Sequence, residues 1–141
     1  MLQNPHHFLQ FDTRRTGYDY ARLIALESQG DPQGYCLVHV RHHNRGKLDT
    51  RVDLYLDEVW IEPTQRGKGL ARLLLRALCS VADEALDRMG PFRKVRVLAH
   101  AVSTSGAQFT RNAQKTLCSH LDENVELALS SGVDLRKAPA A

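Results

Sequence analysis

Two glycines interleaved with two cations, Arg66-Gly67-Lys68-Gly69, stand directly before an apolar helical repeat that begins at Leu70. They follow an alternating, strand-like stretch, Val52 to Ile61, and Pro63. A strand running into a glycine-bearing turn and then a helix start can cradle an anion. Successive backbone N–H groups point one way, and the helix N-terminus adds about half a positive charge. Phosphate or pyrophosphate binding is the chemistry this suits. Spacing excludes two well-known cradles. A P-loop needs four residues between its glycines and then Lys-Ser/Thr, and a dinucleotide fold needs G-x-G-x-x-G after the first strand of a parallel sheet. A turn that only caps a helix would not need two cations beside two glycines.

Other reactive side chains give weaker signals. Cys36, Cys79 and Cys118 are odd in number and far apart, without C-x-x-C spacing, so neither a zinc site nor a disulfide framework is expected. His39 and His43 share a strand face, yet no carboxylate or cysteine sits at ligand spacing, and no metal is expected. The basic run Arg41 to Lys47 lacks interleaved aromatics, which ranks nucleic acid last among partners.

The elements that must position the loop are legible from periodicity. Phe8–Thr13, Tyr18–Ser28, Tyr35–Arg41 and Val52–Ile61 read as strands joined by short turns at 30–34 and 42–47, an antiparallel meander. Leu70, Leu74, Leu78, Val81, Ala85 and Met89 recur on one helix face, closed by Gly90-Pro91. Lys94–Val102 is a further strand, which makes strand, helix, strand a right-handed βαβ unit. A second helix opens at Ser103 and carries Phe109, Ala113, Leu117 and Leu121. Asp122 is expected to cap a last short helix bearing Val125 and Leu129, stopped near Gly132.

Length and composition set the frame. The 141 residues suit one domain, taken as 1–135 with a frayed tail at 136–141, long enough to bury a core without disulfide or metal. The apolar fraction of 43% argues against disorder, and the net charge of +3 fits an anionic ligand without demanding a nucleic acid. No apolar run is long enough to span a bilayer and no secretory signal is readable, so a cytoplasmic protein is expected.

The run Arg66-Gly67-Lys68-Gly69-Leu70-Ala71 resembles the Arg/Gln-x-x-Gly-x-Gly/Ala pyrophosphate loop of the GNAT-type N-acetyltransferases, and Val59-Trp60-Ile61-Glu62-Pro63 resembles the strand end before it. The likeness extends over roughly Asp53 to Leu121. It implies an α/β (α+β) fold: a mixed, mostly antiparallel sheet with a central βαβ unit that binds acyl-CoA. It also implies transfer of an acetyl group from acetyl-CoA to an amine by direct attack. The backbones of Arg66, Gly67, Lys68, Gly69, Leu70 and Ala71 would hold the pyrophosphate, Val59, Trp60 and Ile61 would pair with the pantetheine arm, and Asn112 resembles the family's asparagine near CoA. An acidic residue near the strand end commonly serves as base. Alternation puts Asp57 and Glu58 on opposite faces, and Glu58 is preferred for its reach; Glu62 reads as a surface residue.

Three departures stand out. The family's thiolate-protonating tyrosine is missing, with Cys118 or Ser119 near its place. The two helices between the first two strands have no room, and the closing hairpin is not readable. That leaves Lys94–Val102 as an open edge, for which a symmetric homodimer is the expected cover. These departures support a second reading, a catalytically weak acyl-CoA-binding or regulatory module of the same fold. The acceptor amine is not named by the sequence.

Overall fold

A computed structural model of the chain describes residues 7–16, 19–44, 50–67, 69–87 and 93–131. Four strands come first: β1 (His7–Thr16), β2 (Asp19–Ser28), β3 (Asp31–Asn44) and β4 (Thr50–Ile61). They pair antiparallel in chain order. Helix α1 (Leu70–Leu86) then leads to β5 (Arg93–Ala101), and α2 (Thr104–Leu121) leads to β6 (Val125–Ser131). β5 lies parallel to β4 and β6 parallel to β5, which gives one six-stranded mixed sheet in the order β1-β2-β3-β4-β5-β6. The expected mixed sheet with a βαβ unit is present, and a second βαβ unit follows the first.

Local chemistry explains the boundaries. The β2–β3 turn is Gln29-Gly30, both with positive φ (54° and 82°), the geometry whose twist matches a hairpin. The turn expected at 30–34 therefore lies earlier, and β3 begins at Asp31. A register shift between Leu26 and Glu27 lets the pairing pass Pro32, which has no N–H to give to a ladder. In α1 the expected stripe Leu70, Leu74, Leu78, Val81 and Ala85 is buried, while Arg72, Arg76, Ser80 and Asp83 face solvent. Each fully buried leucine contributes about 1.5–3 kcal/mol, so Leu74→Ala should cost about 2–5 kcal/mol. Met89 and Gly90-Pro91, like the turn past Asn44 and the tail 136–141, lie outside the described residues.

Both crossovers advance the same way along the sheet, and right-handedness puts both helices on one face. There they pack on each other and on Val38, Leu54, Val97 and their neighbours in one apolar core. Phe109, Ala113 and Leu117 are the α2 contribution. Among the described residues no element covers the opposite, outer face. Its main polar feature is Asp53, only 6% exposed. Arg96 donates to it from Nε and Nη2 at 3.2 and 3.0 Å and Arg51 from Nε at 2.9 Å, and His43 lies 3.0 Å away. Burial alone would raise this carboxyl; the Arg96 hydrogen bond and the charges of Arg51, Arg96 and His43 outweigh it and hold Asp53 below the usual range.

The C-terminal expectation is corrected. Asp122 ends α2 in the left-handed conformation (φ 52°) instead of starting a helix, and Val125–Ser131 is a strand. It covers the edge of β5 that was expected to be open, so that edge does not call for a second copy of the chain. No helix among the described residues is long and apolar enough to cross a membrane.

Candidate active site

Two irregularities at the end of β4 build the site. The first is a bulge. Leu37 lies opposite Glu58 and Val38 opposite Leu56, so Asp57 is an extra residue without a partner on β3. Before it, Val52, Leu54 and Leu56 point into the core; after it, Val59 does, opposite the buried Cys36. The slip brings Asp57 and Glu58 out on the same, outer face. Asp57 Oδ2 is 3.2 Å from His39 Nε2, and Glu58 Oε2 accepts a hydrogen bond from Tyr35 Oη at 3.1 Å. The expectation that alternation separates these two carboxylates is thus overturned, because the bulge breaks the alternation between them. Both are exposed.

The second irregularity is a splay. β5 pairs with β4 only as far as Leu56 opposite Ala99, so β4 from Asp57 onward has no ladder partner on that side. The gap is a cleft of about 270 Å³. Glu58, Val59 and Trp60 line one wall, and His100, Ala101, Ser103 and Thr110 the other. Tyr35 closes the outer side, its ring 5.9 Å from that of Trp60.

The chain leaves β4 through Glu62, whose N–H donates to Gln33 O at 2.9 Å. The Glu62 carboxylate, expected to be a surface residue beside the turn, caps the short 3-10 turn Pro63–Gln65 by accepting from Thr64 N (2.9 Å) and from the Thr64 hydroxyl. Arg66 folds back, its Nε donating to Ile61 O at 3.2 Å. Gly67 and Gly69 have φ of 79° and 83°, where other residues are strained. A Cβ at either would meet nothing within 4 Å, so the space over the loop is open. Gly69 is the N-cap of α1 and supplies no side-chain hydrogen bond, which leaves the first-turn N–H groups without a capping acceptor.

Beside this helix start runs a groove of about 380 Å³ lined by Gly69, Ala71, Arg72, Asn112, Lys115 and Thr116. It brings the expected Asn112 on α2 to the expected loop on α1. Leu70 is 2% exposed, so it can offer only its main chain. Lys68 lies outside the described residues.

Cys118 and Ser119 are not brought to the cleft. Cys118 Sγ faces Val125 O across 4.0 Å, and Ser119 lines a separate groove with Arg76 and Cys79. Tyr35 and His39 were missed by sequence reasoning. The signal that could have found them is their parity on β3, which puts both on the outer face once the bulge is known. Burial and the hydrogen bond to Glu58 push the Tyr35 phenol up, so it stays a donor at neutral pH. Burial likewise pushes the Cys36 thiol up to about 12, which leaves it inert. Among the described residues no group of three His, Cys, Asp or Glu converges as a metal site would require.

The family model described as Acetyltransferase (GNAT) family matches residues 2–104. No curated protein matches the chain. Among solved structures, the tetramutant of BH1408 protein from Bacillus halodurans is similar at 14% identity and a TM-score of 0.48, over 67% of this chain and 57% of that one. A ribosomal-protein-alanine N-acetyltransferase from Brucella melitensis biovar Abortus 2308 is 20% identical at a TM-score of 0.48, over 65% and 61%. The aminoglycoside N-acetyltransferase AAC(6')-Iy in complex with CoA is 16% identical at 0.46, over 68% and 58%. The chain thus spans about three fifths of the length of each.

Proposed function

Because this chain belongs to the acetyltransferase (GNAT) family, we propose that it moves an acetyl group from acetyl-CoA to an amine. The observation that carries this reading is the β4–α1 junction: an uncapped helix start with two left-handed glycines, set beside a splayed strand. The backbones of Arg66, Gly67, Lys68, Gly69, Leu70 and Ala71 cradle the pyrophosphate, with Asn112 alongside. The pantetheine arm follows Val59, Trp60 and Ile61, whose β5-facing main chain has no ladder partner. That fit is supported by the open space over Gly67 and Gly69.

In the reaction the amine nitrogen attacks the thioester carbonyl, a tetrahedral oxyanion forms, and the C–S bond breaks to give the amide and CoA thiolate. The attacking nitrogen must lose a proton, and the thiolate gains one from water. Glu58 takes the amine's proton as general base, with Tyr35 holding its carboxylate, and Asp57 contributes less directly.

Thermal shift and calorimetry with acetyl-CoA test the binding claim; a parent protein that gives no shift at millimolar acetyl-CoA sinks it. Release of CoA thiol in the presence of primary amines tests transfer. The second reading, an acyl-CoA-binding module with weak catalysis, is favoured by one observation: neither Cys118 nor Ser119 reaches the cleft as a proton donor. Tight acetyl-CoA binding without release of thiol would select it.

A further inference from the structure

Asp57 borders two cavities. One is the cleft beside Glu58; the other is a groove of about 820 Å³ on the outer face, lined also by Leu37, His39, Arg41 and His43. From the groove side, the His39 ring is held by this shared Asp57, with Oδ2 at 3.2 Å from Nε2, and by the edge of Tyr55, ring centroids 6.1 Å apart. Neither partner is sealed: the side chains are 35% and 42% exposed. Asp57 lacks a ladder partner on β3, so the bulge sets its place and no regular strand position requires the pair.

We propose that His39, oriented by Asp57, is a second proton acceptor for the attacking amine, working through water at the mouth shared by the two cavities. The proposal rests on the acyl-transfer reading above and gives Asp57 its task within it. Histidine is the side chain that ordinarily changes charge between pH 5 and 8, which suits it to accept a proton that a carboxylate holds poorly at neutral pH. The Asp57 carboxylate accepts the Nε2–H, which fixes the tautomer and leaves the Nδ1 lone pair as the base. The step balances. The amine proton passes through water to Nδ1, the Nε2–H stays with Asp57, and the imidazolium then returns the Nδ1 proton to solvent. The charged or titratable groups that share the groove with His39 are Asp57 from β4, Asp19 and Tyr20 from β2, and Arg41, His42 and His43 on β3 itself, with Tyr55 of β4 against its ring. Asp57 is the one within hydrogen-bond reach of the ring. Glu58 is engaged by Tyr35, so the two carboxylates serve separate partners.

The test is CoA release, with acetyl-CoA and a set of amines comprising a lysyl peptide, spermidine and kanamycin, in Glu58→Gln and in Glu58→Gln combined with His39→Gln. The residual kcat of Glu58→Gln should fall on acidification, where a neutral base is protonated. Adding His39→Gln should remove that limb and lower kcat by roughly tenfold or more, at or below the low end of general-base contributions. Glu58→Gln with Asp57→Asn should match it, with KM for acetyl-CoA unchanged throughout. A double variant with the rate and pH profile of Glu58→Gln overturns the proposal alone; a wild type that releases no thiol overturns the acyl-transfer reading with it. Ring ¹⁵N shifts give a measurement free of turnover. Nε2 should report a proton shared with a carboxylate in the wild type and lose that signature in Asp57→Asn, and an unchanged Nε2 signal also overturns the role.

Discussion

The two βα junctions of this protein solve the same problem in opposite ways. Each takes the chain from a parallel strand into a helix whose first N–H groups lack intrahelical acceptors. At β5–α2 only two residues intervene, and Ser103 closes the helix by accepting from Gly106 N at 3.0 Å. That bond satisfies one of the first-turn N–H groups from within the chain. At β4–α1 the connection is longer, its one side-chain cap serves the 3-10 turn, and the N-cap of α1 is Gly69 with no side chain to offer. The difference is that one helix start is closed by a serine of its own chain, while the other is left open behind glycines that alone adopt such dihedrals without strain.

Four experiments press on that contrast. The largest effect is expected from Gly69→Asp, which puts a side chain and a negative charge where the open end would meet a phosphate. The acetyl-CoA thermal shift should vanish, whereas Ser103→Asp, which keeps a capping carboxylate on α2 but adds a charge to the cleft wall, should only weaken it. Equal losses from the two would erase the distinction. Next is Glu58→Gln, on the wall of the cleft that belongs to the first junction. It should lower the transfer rate ~100-fold or more near neutral pH, with Asp57→Asn costing less. The reverse order would move the base to Asp57. Third, Ser103→Ala should lower stability by about 1 kcal/mol in a urea melt while the acetyl-CoA thermal shift persists, since only a hydroxyl leaves the cleft wall.

The smallest effect is reserved for the far end of β4. Asp53 is held below its ordinary range in the folded protein, so its stabilising contribution is present above the unfolded carboxyl value and is lost as pH falls through the folded one. The extra stability should therefore fade only below about pH 4. Asp53→Asn should flatten that acid limb in pH-dependent melts without touching CoA release at neutral pH.

Much of this arrangement could be read from the chain, and the failures have definite causes. The α1 stripe was legible because Leu70, Leu74, Leu78, Val81 and Ala85 step by both three and four, which no strand does. Val125 and Leu129 were misread because a spacing of four is also twice the strand period, and Leu127 between them, 37% exposed, completes the alternation. The anion loop announced itself through its glycines. The bulge did not, since Asp57 is neither a glycine nor in a left-handed conformation, and its presence is a matter of pairing with β3. Every site feature that depends on that slip was therefore invisible: the shared face of Asp57 and Glu58, and their contacts with His39 and Tyr35.

The order of the sheet has a kinetic consequence. Each strand's neighbours in space are also its neighbours in sequence, from β1 to β6. The antiparallel pairings from β1 to β4 close short loops, whereas β5 and β6 must each close a whole crossover before they pair, which costs more entropy and makes them the slower steps. The sheet can grow by adding each new strand to the last, the hairpins β1 to β4 as a ready template and the two crossovers zipping on after them. On a ribosome that is also the order of emergence. The cleft between β4 and β5 then takes shape only when the second half docks, so a nascent chain would carry the outer-face carboxylates well before the cleft beside them exists.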